Sequence, residues 1–260
     1  MVVRLAAREN GEGNPVAILH GLFGSARNWT GIAQRLAERH RVIAFDLRNH
    51  GASSSSGTMD YAAMAADVRA AMAARGYQRF ALIGHSMGGK VAMVLALSVP
   101  DAVQRLVVVD IAPVPVPAPF LSVIRALCGL DLGAVARRRD ADVALAIAIP
   151  DAAQRALLLQ SLVFDDGKPR WQLNLTALET ALPAIAGFPS FPAGTHYSGP
   201  TLFIAGRKSD LLPSTAEPVI RSLFPSATIQ QIANAGHWVH TEQPTAFLTL
   251  VEPFLAADAD

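Results

Sequence analysis

The sequence predicts an α/β fold: a mostly parallel open sheet with helices on both faces and a helical insertion. Three observations predict it. Short, continuous apolar runs bounded by turn residues recur along the chain, and segments of helix length lie between them. The alternation then breaks once, over 112–199, a block entered and left through proline-rich stretches.

The elements follow in order. PVAILHG (15–21) reads as the first strand and ARNWTGIAQRLAER (26–39) as the helix after it. RVIAFDL (41–47) and DYAAMAADVRAAMAARG (60–76) repeat the pattern, as do FALIGHS (80–86) and GGKVAMVLALSV (88–99). RLVVVDI (105–111) is a further strand. Runs this rich in Val, Ile, Leu and Phe suit strands buried on both faces, as parallel strands are. APVPVPAPF (112–120) then holds four prolines, which continue neither strand nor helix and favour extended geometry. Residues 121 to about 186 read as helical throughout. GFPSFPAGTHYSGP (187–200) returns the chain to the strand PTLFIAG (200–206). A helix (215–224), a strand candidate (227–236) and a last helix (242–256) complete it. Joined by right-handed crossovers, such units build one open sheet.

Composition narrows the function classes. The 260 residues are 51% hydrophobic and 17% charged, enough for one large core, and the net charge is +1. That balance offers no electrostatic basis for binding nucleic acid or an anionic membrane. The single cysteine, Cys128 in IRALCGLDL, reads as a buried helix position and excludes an internal disulfide or a multi-cysteine metal site. MVVRLAARENGEG lacks the features of a signal peptide, and no apolar run reaches the roughly 18 residues of a membrane span. The expectation is a soluble cytoplasmic protein acting on a small molecule, with no metal and no cofactor. Oligomeric state stays open.

Gly84-His85-Ser86-Met87-Gly88 carries the chemistry. A serine in a turn is usually only a turn residue. Here it ends a buried strand and starts a helix, the context of a G-x-S-x-G nucleophile elbow. Ser86 would stand above the C-terminal edge of the sheet, with the helix N-terminus beneath it favouring developing negative charge. The Met87 amide and an amide from Leu22 or Phe23, in the glycine-rich turn HGLFGS (20–25), are candidates for an oxyanion hole.

The base should be a late histidine, because this architecture runs Ser…Asp…His. His40 and His50 precede the serine in surface-like turns, His85 shares the elbow's backbone, and His196 lies in the returning hinge. His20 reads as a loop-holding residue. His237 in ANAGHWVHTEQP follows a glycine just after a strand candidate, with His240 as runner-up. Two aspartates compete as the acid. Asp210 in AGRKSDLLP falls one residue late, with Ser209 in the expected place. Asp110 ends a wholly apolar strand, where a carboxylate is costly to bury without a partner, and is favoured.

HGLFGS, DLRNHGAS (46–53), GHSMGGKVAM, VVVDIAP and AGHWVH together resemble the α/β-hydrolase superfamily, and more narrowly its YbfF-like esterase branch. The resemblance implies the α/β-hydrolase fold, with a core of 1–111 and 200–260 and a helical cap of 112–199. It also implies a serine carboxylesterase or thioesterase that takes its acid from the strand after the nucleophile helix, here Asp110. The cap would select a small acyl substrate, with Trp171, Trp238, Phe120 and Phe164 as candidate pocket aromatics. In DLRNHGAS, Arg48 either binds a substrate carboxylate or pairs with Asp46 to tie the loop, the second being the more ordinary role. The same triad also serves C–C bond hydrolysis, lyase or perhydrolase chemistry. C–C hydrolysis would call for a cation in cap or core, for which ARRRD (136–140) is a candidate. A non-catalytic ligand-binding protein is a third reading, disfavoured because binding alone does not need the elbow's strain.

Overall fold

The computed structural model describes residues 1–116 and 120–257 of the chain, so Pro117, Ala118 and Pro119 of the first proline-rich stretch lie outside the described residues. The strands are β1 (Ala7–Asn10), β2 (Asn14–Leu19), β3 (His40–Phe45), β4 (Phe80–His85), β5 (Val103–Val109), β6 (Leu162–Asp165), β7 (Lys168–Trp171), β8 (Thr201–Gly206) and β9 (Ala227–Ile232). The helices are α1 (Thr30–Leu36), α2 (Tyr61–Ala73), α3 (Met87–Ser98), α4 (Phe120–Cys128), α5 (Arg138–Leu145), α6 (Ala152–Leu158), α7 (Leu175–Ala186), α8 (Glu217–Leu223), α9 (Val239–Glu242) and α10 (Pro244–Ala256).

One sheet runs in the order β1-β3-β2-β4-β5-β8-β9, parallel throughout except where β1 pairs antiparallel with β3 at the edge. The order reverses between β2 and β4, and in open α/β sheets ligands bind beyond the strand ends at such a reversal. Alternation along β2 explains the two helical layers. Ala17 and Leu19 join the core beneath α2, α3 and α8, whereas Val16 and Ile18 join the one beneath α1 and α10. All six residues of β4 are buried, as a central parallel strand requires.

Strand β1 (AREN), at the edge of the sheet, precedes the strand read first from the sequence and carries no apolar run; Glu9 there binds Arg41 and Arg75. Four expectations need correction. Residues 121–186 are not helical throughout, since β6 and β7 form an antiparallel hairpin among the helices. Its two-residue turn, Asp166-Gly167, has φ of 50° and 76°. Asp-Gly is the dipeptide such turns favour, so the signal stood in the sequence. Cys128 is exposed: it is the last residue of α4, where the buried stripe Val123–Ile124–Leu127 ends. His40 and His50 are buried rather than in surface turns. Asp46 does not pair with Arg48; it accepts from the Ala26 and Ala52 amides.

No helix among the described residues is long and apolar enough to cross a membrane. No group of three or more His, Cys, Asp or Glu side chains among them is placed to hold a metal ion.

Candidate active site

The site grows from the C-terminal ends of β2, β4, β5, β8 and β9. Ser86 links β4 to α3 at φ 52° and ψ −119°, a strained conformation worth about 1–3 kcal/mol. Two glycines permit the turn. A β-carbon on Gly84 would lie 2.2 Å from the Gly88 carbonyl oxygen, and one on Gly88 would lie 2.5 Å from the His20 carbonyl oxygen. The Ser86 amide donates to the Val109 carbonyl at 3.0 Å, fixing the turn to β5.

Asp110 follows β5 at φ 53° and is wholly buried. Its Oδ1 accepts from the Gly206 amide at 2.8 Å. Its Oδ2 accepts from the Ser209 hydroxyl at 2.5 Å and lies 2.7 Å from His237 Nδ1. Those donors compensate the buried carboxylate. Ser209, in the position where an acid was expected, thus donates to Asp110 instead. Asp210 is exposed on the same loop.

The loop after β9 carries His237, and three contacts hold it. His85 Nε2 donates to the His237 carbonyl at 2.8 Å. Glu242 accepts from the Gly236 amide at 2.8 Å and the Trp238 amide at 3.1 Å. Sequence reasoning missed Glu242, which carries no motif. His240 is not a rival base: it stacks on Trp29 at 3.9 Å, and burial pushes its pKa down to about 3.

Two buried, neutral imidazoles shape the HGLFGS turn. Burial lowers the His20 pKa to about 4 and the His50 pKa to about 3. His20 Nδ1 donates to the Gly21 carbonyl while its Nε2 accepts from the Leu47 amide. His50 Nδ1 donates to the Arg48 carbonyl, and its Nε2 accepts from the Phe23 amide at 3.3 Å. The Phe23 N–H is therefore engaged. Among the described residues the Leu22 and Met87 amides donate to no protein acceptor.

Two cavities meet at Leu22, Ser86 and Phe120. The first, of about 570 Å³, also touches His237 and Trp238. The second, of about 370 Å³, touches Met87, Lys90 and a wall from α7. Ser86 and His237 share the first cavity, although no hydrogen bond joins the two side chains. Trp171 and Phe164 line neither cavity; Trp171 sits on β7 with its indole N–H buried and without a partner among the described residues. Arg48 also faces elsewhere, bonding Asp67 at 2.7 Å with both side chains fully buried. Of the ARRRD arginines, Arg138 bonds the Leu159 and Leu162 carbonyls, and none lines either cavity.

A family model described as the alpha/beta hydrolase fold matches residues 14–244. The chain belongs to the α/β hydrolase family. It is 41% identical to the sn-1-specific diacylglycerol lipase ABHD11 of Mus musculus, over 93% of this chain and 80% of that one. It is 34% identical to Esterase YbfF of Escherichia coli, over 97% and 98% of the two chains. A solved marine microorganism esterase superposes with a TM-score of 0.94 at 33% identity, covering 97% of this α/β hydrolase and all of that chain. The resemblance to the YbfF-like branch holds across nearly the whole sequence.

Proposed function

We propose that this α/β hydrolase is a serine carboxylesterase that works through an acyl-enzyme on Ser86. The observation that carries the reading is the 2.7 Å contact of His237 Nδ1 with buried Asp110, in a ring that opens on the cavity it shares with Ser86. Asp110 holds the ring in the tautomer that leaves Nε2 free to accept a proton. Ser86 Oγ attacks the ester carbonyl and its proton passes to His237 Nε2. The Leu22 and Met87 amides, unengaged among the described residues, receive the oxyanion. The C–O bond then breaks, His237 returns the proton to the leaving alcohol, and water repeats the cycle to free the acid.

The general acid fixes the orientation. The leaving oxygen must lie beside His237, so the alcohol occupies the first cavity and the acyl group the second. Residues of 112–199 form part of both walls, Leu157 and Leu158 in the first and Leu182 and Ile185 in the second. That supports a cap role for the segment. The relatives' names, a diacylglycerol lipase and esterases, support ester hydrolysis.

The test is hydrolysis of p-nitrophenyl esters from two to sixteen carbons. Wild type is expected to turn over part of the series, and Ser86→Ala to lose about 10⁴-fold or more in kcat while unfolding at the wild-type temperature. A folded wild type inert toward every ester would overturn the reading.

A further inference from the structure

The second cavity contains a charge that the ester mechanism does not use. Lys90 lies one helical turn beyond Ser86, its amide donating to the Ser86 carbonyl at 3.0 Å. The side chain is only 1% exposed, yet it lines the cavity. Its Nζ donates to the Ala186 carbonyl at 3.2 Å and the Gly187 carbonyl at 2.7 Å, at the C-terminal end of α7. An ammonium has three N–H groups. The third finds no acceptor among the described residues, and Nζ sits 5.9 Å from the Tyr61 ring centroid.

The described residues lining this cavity include no Asp or Glu. Lys90 is the single charged side chain among them, and Tyr61 the one other titratable group of those that line it, its hydroxyl donating to the Ile185 carbonyl. The carbonyl end of α7 offsets part of the charge. A buried cation with an unfilled donor and no counter-ion is still costly, and an arriving anion would lower that cost. Burial brings the Lys90 pKa down to about 8, which leaves the amine mostly protonated at neutral pH.

We propose that Lys90 sets acyl specificity: the second cavity takes a short acyl group ending in a carboxylate, so that half-esters of dicarboxylic acids are the preferred substrates. The inference rests on the ester-hydrolase reading and on the acyl group lying in this cavity. The acyl group is short because Ser86 and Lys90, four positions apart at the start of α3, line the same cavity. The carboxylate accepts the third N–H of Nζ, while the chain packs against Ile111, Leu182 and Ile185. An uncharged acyl chain of the same length leaves the ammonium unpaired.

The experiment compares kcat/KM for monomethyl succinate and monomethyl glutarate with that for methyl butyrate and methyl valerate. The enzymes are wild type, Lys90→Met and Lys90→Gln. Wild type is expected to favour the half-ester anion by about tenfold or more, mainly through KM, and both variants to lose that preference. In wild type the ratio should fall as pH rises through about 8, where the free enzyme's Lys90 loses its proton. If Lys90→Met does not fold, Lys90→Gln, which keeps donors for the α7 carbonyls, and the wild-type pH profile decide the matter. Neutral esters turned over as well as half-esters by wild type would overturn this inference alone. A preference that survives in both variants would also overturn it, leaving Lys90 as a clasp on α7. No turnover of any ester would remove the ester-hydrolase reading together with it.

Discussion

Asp110 concentrates more of the site's physics than any other residue. It takes a left-handed conformation, is sealed from water, and gathers donors from β8, the following loop and His237. Its replacement by asparagine keeps the volume but removes the charge that holds the imidazole. Asp110→Asn is therefore expected to lower kcat by about 10³–10⁴-fold, whereas Asp210→Asn, altering an exposed carboxylate, should stay near wild type. Ester kinetics of the two variants side by side check this, and the reverse ranking would move the acid to Asp210. The sequence pointed to Asp110 because a lone carboxylate closing an apolar strand needs a partner. It could not separate Leu22 from Phe23, since that choice depends on His50, 27 positions from Phe23 in sequence, occupying the Phe23 amide. Nor could it tell that Trp171 would turn away from the cavities.

At the scale of elements, two short pieces support the rest. The loop bearing His237 is closed by Glu242, whose carboxylate spans the Gly236 and Trp238 amides. Glu242 is exposed, so the bonds are worth less than buried ones. Glu242→Ala should reduce kcat by about tenfold with a small change in stability, because it loosens the loop that carries His237 and leaves the core intact. An unchanged kcat would mean that β9 and α9 alone fix the loop. The β6–β7 hairpin depends on Gly167 at φ 76°. Gly167→Val is expected to cost about 1–2 kcal/mol, and a thermal melt indistinguishable from wild type would contradict this. The helical reading of 121–186 failed because four-residue strands are too short for periodicity to register; only the Asp-Gly pair marked them.

Across the whole molecule, buried histidines link stability to pH. His20, His50 and His240 have folded pKa values of about 4, 3 and 3, and His85 is lowered in the same direction, all chiefly by burial. Above the unfolded value near 6.5 both states are neutral and this contribution is complete. As pH falls below 6.5 the unfolded chain binds protons that the folded one refuses, so stability declines toward pH 4 and further toward pH 3. Urea midpoints at pH 7 and pH 5 should show the loss. His240→Phe, which keeps a ring against Trp29, should reduce it; an equal or higher midpoint at pH 5 in wild type would refute the linkage.

The sequence by itself determined the strands of the parallel sheet and the tight turn at Ser86, and it singled out His237 and Asp110, which the fold brings within 2.7 Å of each other. Each of these is local: an apolar run, a glycine spacing, or a charge too costly to leave unpaired. Tertiary structure alone decided what depends on distant groups arriving at one point. It joined β1 to β3, took the Phe23 amide out of use, paired Arg48 with Asp67, and brought the carbonyl end of α7 onto Lys90. Those outcomes rest on hydrogen bonds and burial between segments far apart in the chain, which no residue spacing encodes.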